Sequence, residues 1–171
     1  FNGLDLPGVI ETVPTYRAIT VHIDPLTADI DAIKAGIKRL ASVQGDANSR
    51  GQLWDVPVAY GEGFGADLDE VAAFAGMTTG NLIEAHTAPE YTVAMVGFLP
   101  GFSYLSGLDP RLAMPRRSEP RARIPASSVS IGGQQTAIGS LEGPSGWHLI
   151  GRTPAQPFQL GRKPVFLFEP G

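Results

Sequence analysis

The chain has 171 residues, room for one ordinary domain or for one domain plus a fragment of another. Its 43% hydrophobic and 18% charged residues exclude an extended, highly charged disordered chain, and its net charge of −4 leaves no global positive field to hold a nucleic acid. With no cysteine there can be no disulfide or thiolate metal site, a zinc centre on the three histidines would need carboxylates, and a reducing cytoplasm fits.

From Tyr16 to Leu40 the pattern predicts one strand and one helix. Ile19, Val21 and Ile23 alternate with Thr20 and His22, and Asp24-Pro25 ends the run. Thr27 is the expected N-cap of a helix with Asp29 and Asp31 in its first turn and Ile30, Ile33, Ile37 and Leu40 on one face. Two short elements cannot build a core alone, so residues 1–50 read as part of a domain whose remainder is missing or supplied by a partner. Ala47 to Gln52 is a linker candidate. Leu53 to Tyr60 then reads as a strand, with Gly61, Gly63 and Gly65 as a turn.

Asp67 and Glu70 have the spacing of a capping box over a helix with Leu68, Val71 and Ala75 inside and Gly76 as its end. Thr78 or Thr79 opens a second helix through Leu82, Ile83 and His86, closed before Pro89. Strands are expected at Tyr91–Val96, Ser128–Ile131, Gln135–Gly139, Trp147–Ile150 and Val165–Phe168. Many short strands, two helices, 21 glycines and 15 prolines argue for a closed β-barrel or sandwich rather than a doubly wound sheet. No apolar run reaches membrane length, and the N-terminus lacks the layout of a signal peptide.

Four segments could carry chemistry. Gly97 to Leu105 is a stiff loop bearing Phe98, Phe102 and Tyr104, suited either to walling a small-molecule pocket or to plugging a barrel. Arg111, Arg116, Arg117, Arg121 and Arg123 are half of the ten arginines; they suit an anionic ligand, or pairing with Asp109 and Glu119 on a solvated loop. Ile131 to Thr136 sets a glycine pair before Gln135, whose amide could meet an amide or carboxylate substrate; a hairpin turn explains the glycines equally well. Gly143 to His148 ends in a Trp-His pair. His148 or His86 could serve as a general base or as a structural hydrogen-bonding residue. Neither a Gly-x-Ser-x-Gly elbow nor a phosphate-binding Gly-x-x-x-x-Gly-Lys loop is present.

In order, His86-Thr87-Ala88-Pro89-Glu90-Tyr91, Gly97 to Leu105, Pro115-Arg116-Arg117, Gln135-Thr136 and Gly146 to Pro154 resemble the allophanate hydrolase subunit 1 family. That family includes the B subunit of the bacterial ATP-dependent 5-oxoprolinase and a sporulation-kinase inhibitor. The resemblance covers about residues 10–160 and implies a mainly β chain with α+β elements: a cyclophilin-like closed β-barrel at 51–171 after a partial α/β domain at 1–50. The first part of that domain, and a last strand beyond Gly171, are expected to be missing.

The resemblance further implies one subunit of a heteromeric ATP-dependent amide or lactam hydrolase, inactive alone. It would share its substrate pocket with a second cyclophilin-like subunit, of the type of allophanate hydrolase subunit 2 or the 5-oxoprolinase C subunit, with ATP used by the assembled complex. Arg116, Arg117 and Arg123 would orient a carboxylate or phosphate, and Gln135 would bind the amide. Phe98, Phe102 and Tyr104, with Thr136 and Trp147, would enclose the substrate, and His86 or His148 would move a proton. Ser128, Ser130, Ser145 and Gln134, where relatives tend to carry glycine, would narrow the pocket. The alternative is a regulatory protein that inhibits a histidine kinase. Peptidyl-prolyl isomerase activity would rest on fold analogy alone.

Overall fold

A computed structural model of the chain describes residues 6–42 and 51–171. Its contacts divide into two compact units, Phe1–Leu53 and Trp54–Gly171. Residues 47–50 of the expected linker lie outside the described residues.

In the first unit, β1 (Val9–Pro14) pairs antiparallel with β2 (Ile19–Ile23), and α1 (Ile30–Ser42) follows. The sequence pattern identifies β2 and misses β1, in which Pro14 and the polar residues mask the alternation. Gly8 has φ +80°, and a Cβ there would lie 2.4 Å from Ala28 Cα, so the close approach of the two segments needs a glycine. The cap of α1 is Asp29 and not Thr27: the Asp29 carboxylate accepts from the amides of Asp31 and Ala32, whereas the Thr27 hydroxyl donates to Asp24. Ile33 and Gly36 are the buried positions of α1.

The second unit is built on a six-stranded antiparallel sheet. Its strands are β3 (Ala59–Tyr60), β4 (Thr92–Val96), β5 (Ser103–Ser106), β7 (Ser128–Gly132), β8 (Gln135–Ile138) and β10 (His148–Arg152), in the order β3-β10-β7-β8-β5-β4. A separate ribbon pairs β6 (Arg121–Ile124) with β9 (Gly143–Ser145). The fold is mainly β with helices α2 (Leu68–Phe74) and α3 (Thr79–Thr87). The expected closed barrel is not what the ladders form: among the described residues the sheet is open, with β3 and β4 at its edges.

Two expected strands are corrected. Of Leu53–Tyr60 only Ala59 and Tyr60 pair, with Arg152 and Gly151; Pro57 just before them has no N–H to give a ladder. Val165–Phe168 reduces to an isolated bridge between Phe158 and Phe166. Both expected helices form. Thr78 caps α3 by accepting the Asn81 amide, and α2 ends on Gly76 at φ +65°, with Gly76 N–H to Ala73 O and Met77 N–H to Ala72 O.

The core lies on one face of the sheet. Leu105, Val129, Ile131, Ile138 and Ile150 pack there with Leu68, Val71 and Leu82 from the helices. Each such aliphatic side chain contributes about 1.5–3 kcal/mol when fully buried. Among the described residues no helix is long and apolar enough to cross a membrane.

Candidate functional site

Strand β8 separates the expected site residues into two groups, because successive side chains point to opposite faces of a sheet. Thr136 and Ile138 share a face with their cross-strand neighbours Ile131, Val129 and Leu105, the face of the main core. Gln135 and Ala137 point the other way, beside Gly132, Ser130 and Tyr104. Gln135 and Thr136 are adjacent in sequence and therefore do not line one pocket.

On the core face His86 is 5% exposed, and both of its ring nitrogens are occupied. The Thr136 hydroxyl donates to the Ser130 carbonyl at 3.1 Å, so it must accept from His86 Nε2 at 2.9 Å. His86 Nδ1 then accepts from the Tyr60 hydroxyl at 2.7 Å. This fixes one neutral tautomer and ties α3 to β3 and β8. Burial pushes the His86 imidazole down to about 4 and the Tyr60 phenol up to about 12.

The opposite face carries a second apolar cluster of Phe102, Ala137 and Trp147, with Leu99 and Tyr104 packed against it. Tyr104 lies 4.8 Å from Phe102 and 5.7 Å from Trp147 between ring centroids. Trp147 rests on Gly132, where a Cβ would fall 2.5 Å from the indole. Arg116 reaches over the Trp147 ring at 5.7 Å. Phe98, at the rim, is 63% exposed and held at φ +71°, an uncommon conformation for a bulky side chain, while packing edge-on against Phe102. The Gln135 amide nitrogen is enclosed and has no hydrogen-bond partner. Burial pushes the Tyr104 phenol up, against the opposing charge of Arg116.

The arginine cluster divides by partner. Arg111 and Arg123 are exposed and pair with Asp109 and Glu142. Arg121 donates through both terminal nitrogens to Asp67, at 2.6 and 2.8 Å, and Arg117 reaches the same carboxylate at 3.3 Å. Asp67 also accepts the Leu149 amide at 2.7 Å. The expected capping box is thereby corrected: the Asp67 side chain caps nothing and instead joins the start of α2 to β6 and β10. Burial raises this carboxyl, but the hydrogen bonds from Arg121 and Leu149, with the charges of Arg121 and Arg117, outweigh it and hold the group below its ordinary value. Among the described residues Arg116 has no acidic partner within salt-bridge distance.

A cleft of about 300 Å³ opens beside this junction, lined by Glu70 and Phe74 of α2, Met114 to Ser118, and His148. His148 is 3% exposed, and its Nε2 donates to the Pro115 carbonyl at 3.0 Å. Its Nδ1 has no hydrogen-bond partner and faces Glu70 Oε2 at 3.8 Å. His86, His148 and Gln135 thus lie in three different surroundings. Glu70 is legible in sequence only as a helix-capping residue, and its place opposite His148 comes from packing.

The glycine pair is a hairpin turn. Gly132 lies under Trp147, and the Gly133 amide is committed to the Met114 carbonyl at 2.6 Å. This pair does not fit the phosphate groups of ATP.

An open antiparallel sheet flanked by two short helices, with an aromatic cluster on the face opposite the main core, characterises the second unit. The chain belongs to the carboxyltransferase domain family, subdomain C and D, whose model matches residues 2–168. The family indicated by its motifs is borne out by its relatives. It is 38% identical to the 5-oxoprolinase B subunit of Bacillus subtilis (strain 168) over 96% of this chain and 73% of that one. A conserved uncharacterized protein of Pyrococcus horikoshii is similar in structure, with a TM-score of 0.69 and 39% identity over 99% of this chain and 77% of that one. The urea amidolyase of K. lactis shares the fold, with a TM-score of 0.77 at 18% identity over 95% of this chain and 12% of that one.

Proposed function

We propose that the chain is the B-type subunit of a heteromeric ATP-dependent 5-oxoprolinase and holds the lactam at the aromatic cluster of its sheet. What carries the reading is an unpartnered Gln135 amide on the face of the sheet that carries Tyr104 and Trp147, with Arg116 over the Trp147 ring, in a chain 37–39% identical to three 5-oxoprolinase B subunits. A lactam with a ring carboxylate has three matching needs. Its carboxylate pairs with Arg116, its carbonyl accepts from the Gln135 amide, and its ring lies against the aromatic faces.

In this reading residues 51–171 are the cyclophilin-like module, residues 1–50 belong to a smaller α/β domain, and a second cyclophilin-like subunit of the C type covers the aromatic face. Covering it excludes water and fixes the lactam for attack. Phe98, exposed and conformationally costly, is a rim contact for that subunit. ATP binds elsewhere in the complex, since Gly132 lies under Trp147 and the Gly133 amide is already bonded to Met114. His86 serves the fold, and proton transfer at the lactam comes from the partner's side of the pocket, because neither histidine presents a nitrogen to the aromatic face.

The test is glutamate formation and ATP hydrolysis with 5-oxoproline, by the chain alone and co-assembled with its partner subunits. Turnover is expected only in the complex, and Arg116→Gln is expected to raise KM about tenfold, the worth of about 1.4 kcal/mol. Unchanged kinetics in both Arg116→Gln and Gln135→Ala would overturn the site. Binding of a histidine kinase without any turnover would favour the regulatory alternative.

A further inference from the structure

Arg116 stands over the Trp147 ring at 5.7 Å, and among the described residues no acidic side chain within salt-bridge distance holds it there. Its main chain is held instead. A peptide group is planar, so the Pro115 carbonyl and the Arg116 N–H move as one body, as do the Arg116 carbonyl and the Arg117 N–H. The second of these planes is fixed by the Arg117 N–H, which donates to the Gly146 carbonyl at 2.7 Å. The first is fixed by a side chain: His148 Nε2 donates to the Pro115 carbonyl at 3.0 Å. A carbonyl only accepts, so Nε2 carries its hydrogen whatever the charge of the ring. One residue before Pro115, Met114 exchanges both main-chain hydrogen bonds with Gly133, at 3.0 and 2.6 Å. Gly146, Trp147 and His148 are consecutive, and together they place one arginine. The outer two lock the peptide planes on either side of Arg116, and the middle one receives its guanidinium. Trp147 is itself seated on Gly132, and its amide donates to the Ser145 hydroxyl at 3.1 Å.

We propose that His148 is a positioning residue for Arg116: its Nε2–H holds the Pro115–Arg116 peptide plane so that the guanidinium stands over Trp147, where an incoming carboxylate meets it. The histidine moves no proton and changes no charge in doing so. This placing of Arg116 follows from the hydrogen bonds of the chain; that the carboxylate belongs to a lactam substrate rests on the proposed function. Amide side chains separate the role from the ring. The amide nitrogen of a glutamine lies close to the place of Nε2 and can donate to Pro115, whereas that of an asparagine ends nearer Nδ1 and falls short.

The first experiment reads the position of Arg116 without turnover. Trp54→Phe in the whole chain leaves Trp147 as its one tryptophan. In that background His148→Leu is expected to shift the Trp147 emission in the same direction as Arg116→Gln, the double variant to shift it no further than Arg116→Gln alone, and His148→Gln to keep the parent spectrum. His148→Asn puts the same question if His148→Leu does not fold. The second experiment measures 5-oxoproline kinetics in the assembled complex. His148→Leu should raise KM about fivefold with kcat within about twofold, add nothing in the Arg116→Gln background, and be rescued by His148→Gln. An emission shift that persists at full size beside Arg116→Gln would mean that His148 acts on the indole directly and would overturn the inference. So would a lower unfolding midpoint with unchanged emission, the mark of a histidine that serves only the fold. A KM raised by Arg116→Gln and untouched by His148→Leu would overturn it while leaving the hydrolase reading in place. No turnover of 5-oxoproline by the parent complex would remove the hydrolase reading, and the emission series would then decide the inference by itself.

Discussion

The two nearly buried histidines of the second unit differ in what surrounds them. His86 is 5% exposed and His148 3%, so burial does not distinguish them. His86 has both nitrogens bonded and closes a chain from Tyr60 through Thr136 to Ser130; His148 keeps one nitrogen without a partner at the wall of a cleft. The first arrangement leaves no valence for a ligand and serves the fold. The second leaves one, which makes it a candidate for recognition. An enclosed histidine is therefore read from its hydrogen bonds, and its exposure says little.

Acid should separate the two roles most strongly. Because His86 is held down to about 4 in the folded chain against 6.5 unfolded, the unfolded chain takes up the proton first as the pH falls. Stability is then full above about pH 6.5 and is lost between there and pH 4, by about 3 kcal/mol from this group. Denaturant midpoints measured across that range should show the slope, and a His86→Gln variant should flatten it; an unchanged slope would refute the assignment.

A smaller loss is expected at the junction of α2 with β6 and β10. Asp67→Asn leaves Arg121 and Arg117 without their carboxylate and should cost about 2 kcal/mol, at the low side for a buried pair because both arginines reach water. Arg123→Gln, at an exposed pair, should leave the unfolding midpoint where it is. Equal effects of the two would erase the distinction between organising and surface arginines.

The mildest test falls on the aromatic face. Gly132→Ala places a methyl against the Trp147 indole and should cost about 1 to 2 kcal/mol as the ring shifts. Trp147 fluorescence should move to the red while the far-UV signal is kept. An unmoved spectrum would mean that Trp147 is not seated on Gly132.

Much of this was legible from residue order alone. Helices α2 and α3, with Gly76 and Thr78 at their ends, follow from apolar spacing and capping chemistry, and the family follows from a set of motifs in a fixed order. The ends of the sheet were harder to read. β5 overlaps the end of the segment expected as an aromatic loop, and β6 and β9 are short, rich in charge or in Gly and Pro, and pair only with each other. Period-two alternation already implied that Gln135 and Thr136 point apart, but nothing in sequence says which of them faces the core.

Residue order thus carries the local elements and the candidate chemistry: the helices, most strands of the sheet, the aromatic segment, the glycine hairpin and the arginine cluster. Which candidates act together is settled by packing in three dimensions. Asp67 meets Arg121 across 54 residues and the Leu149 amide across 82, and His86 meets Thr136 across 50. No local pattern encodes a partner that distant. Such pairs are chosen when the sheet and helices fold over their core, because each buried polar group must then find the nearest complementary one or remain, like His148 Nδ1, without it.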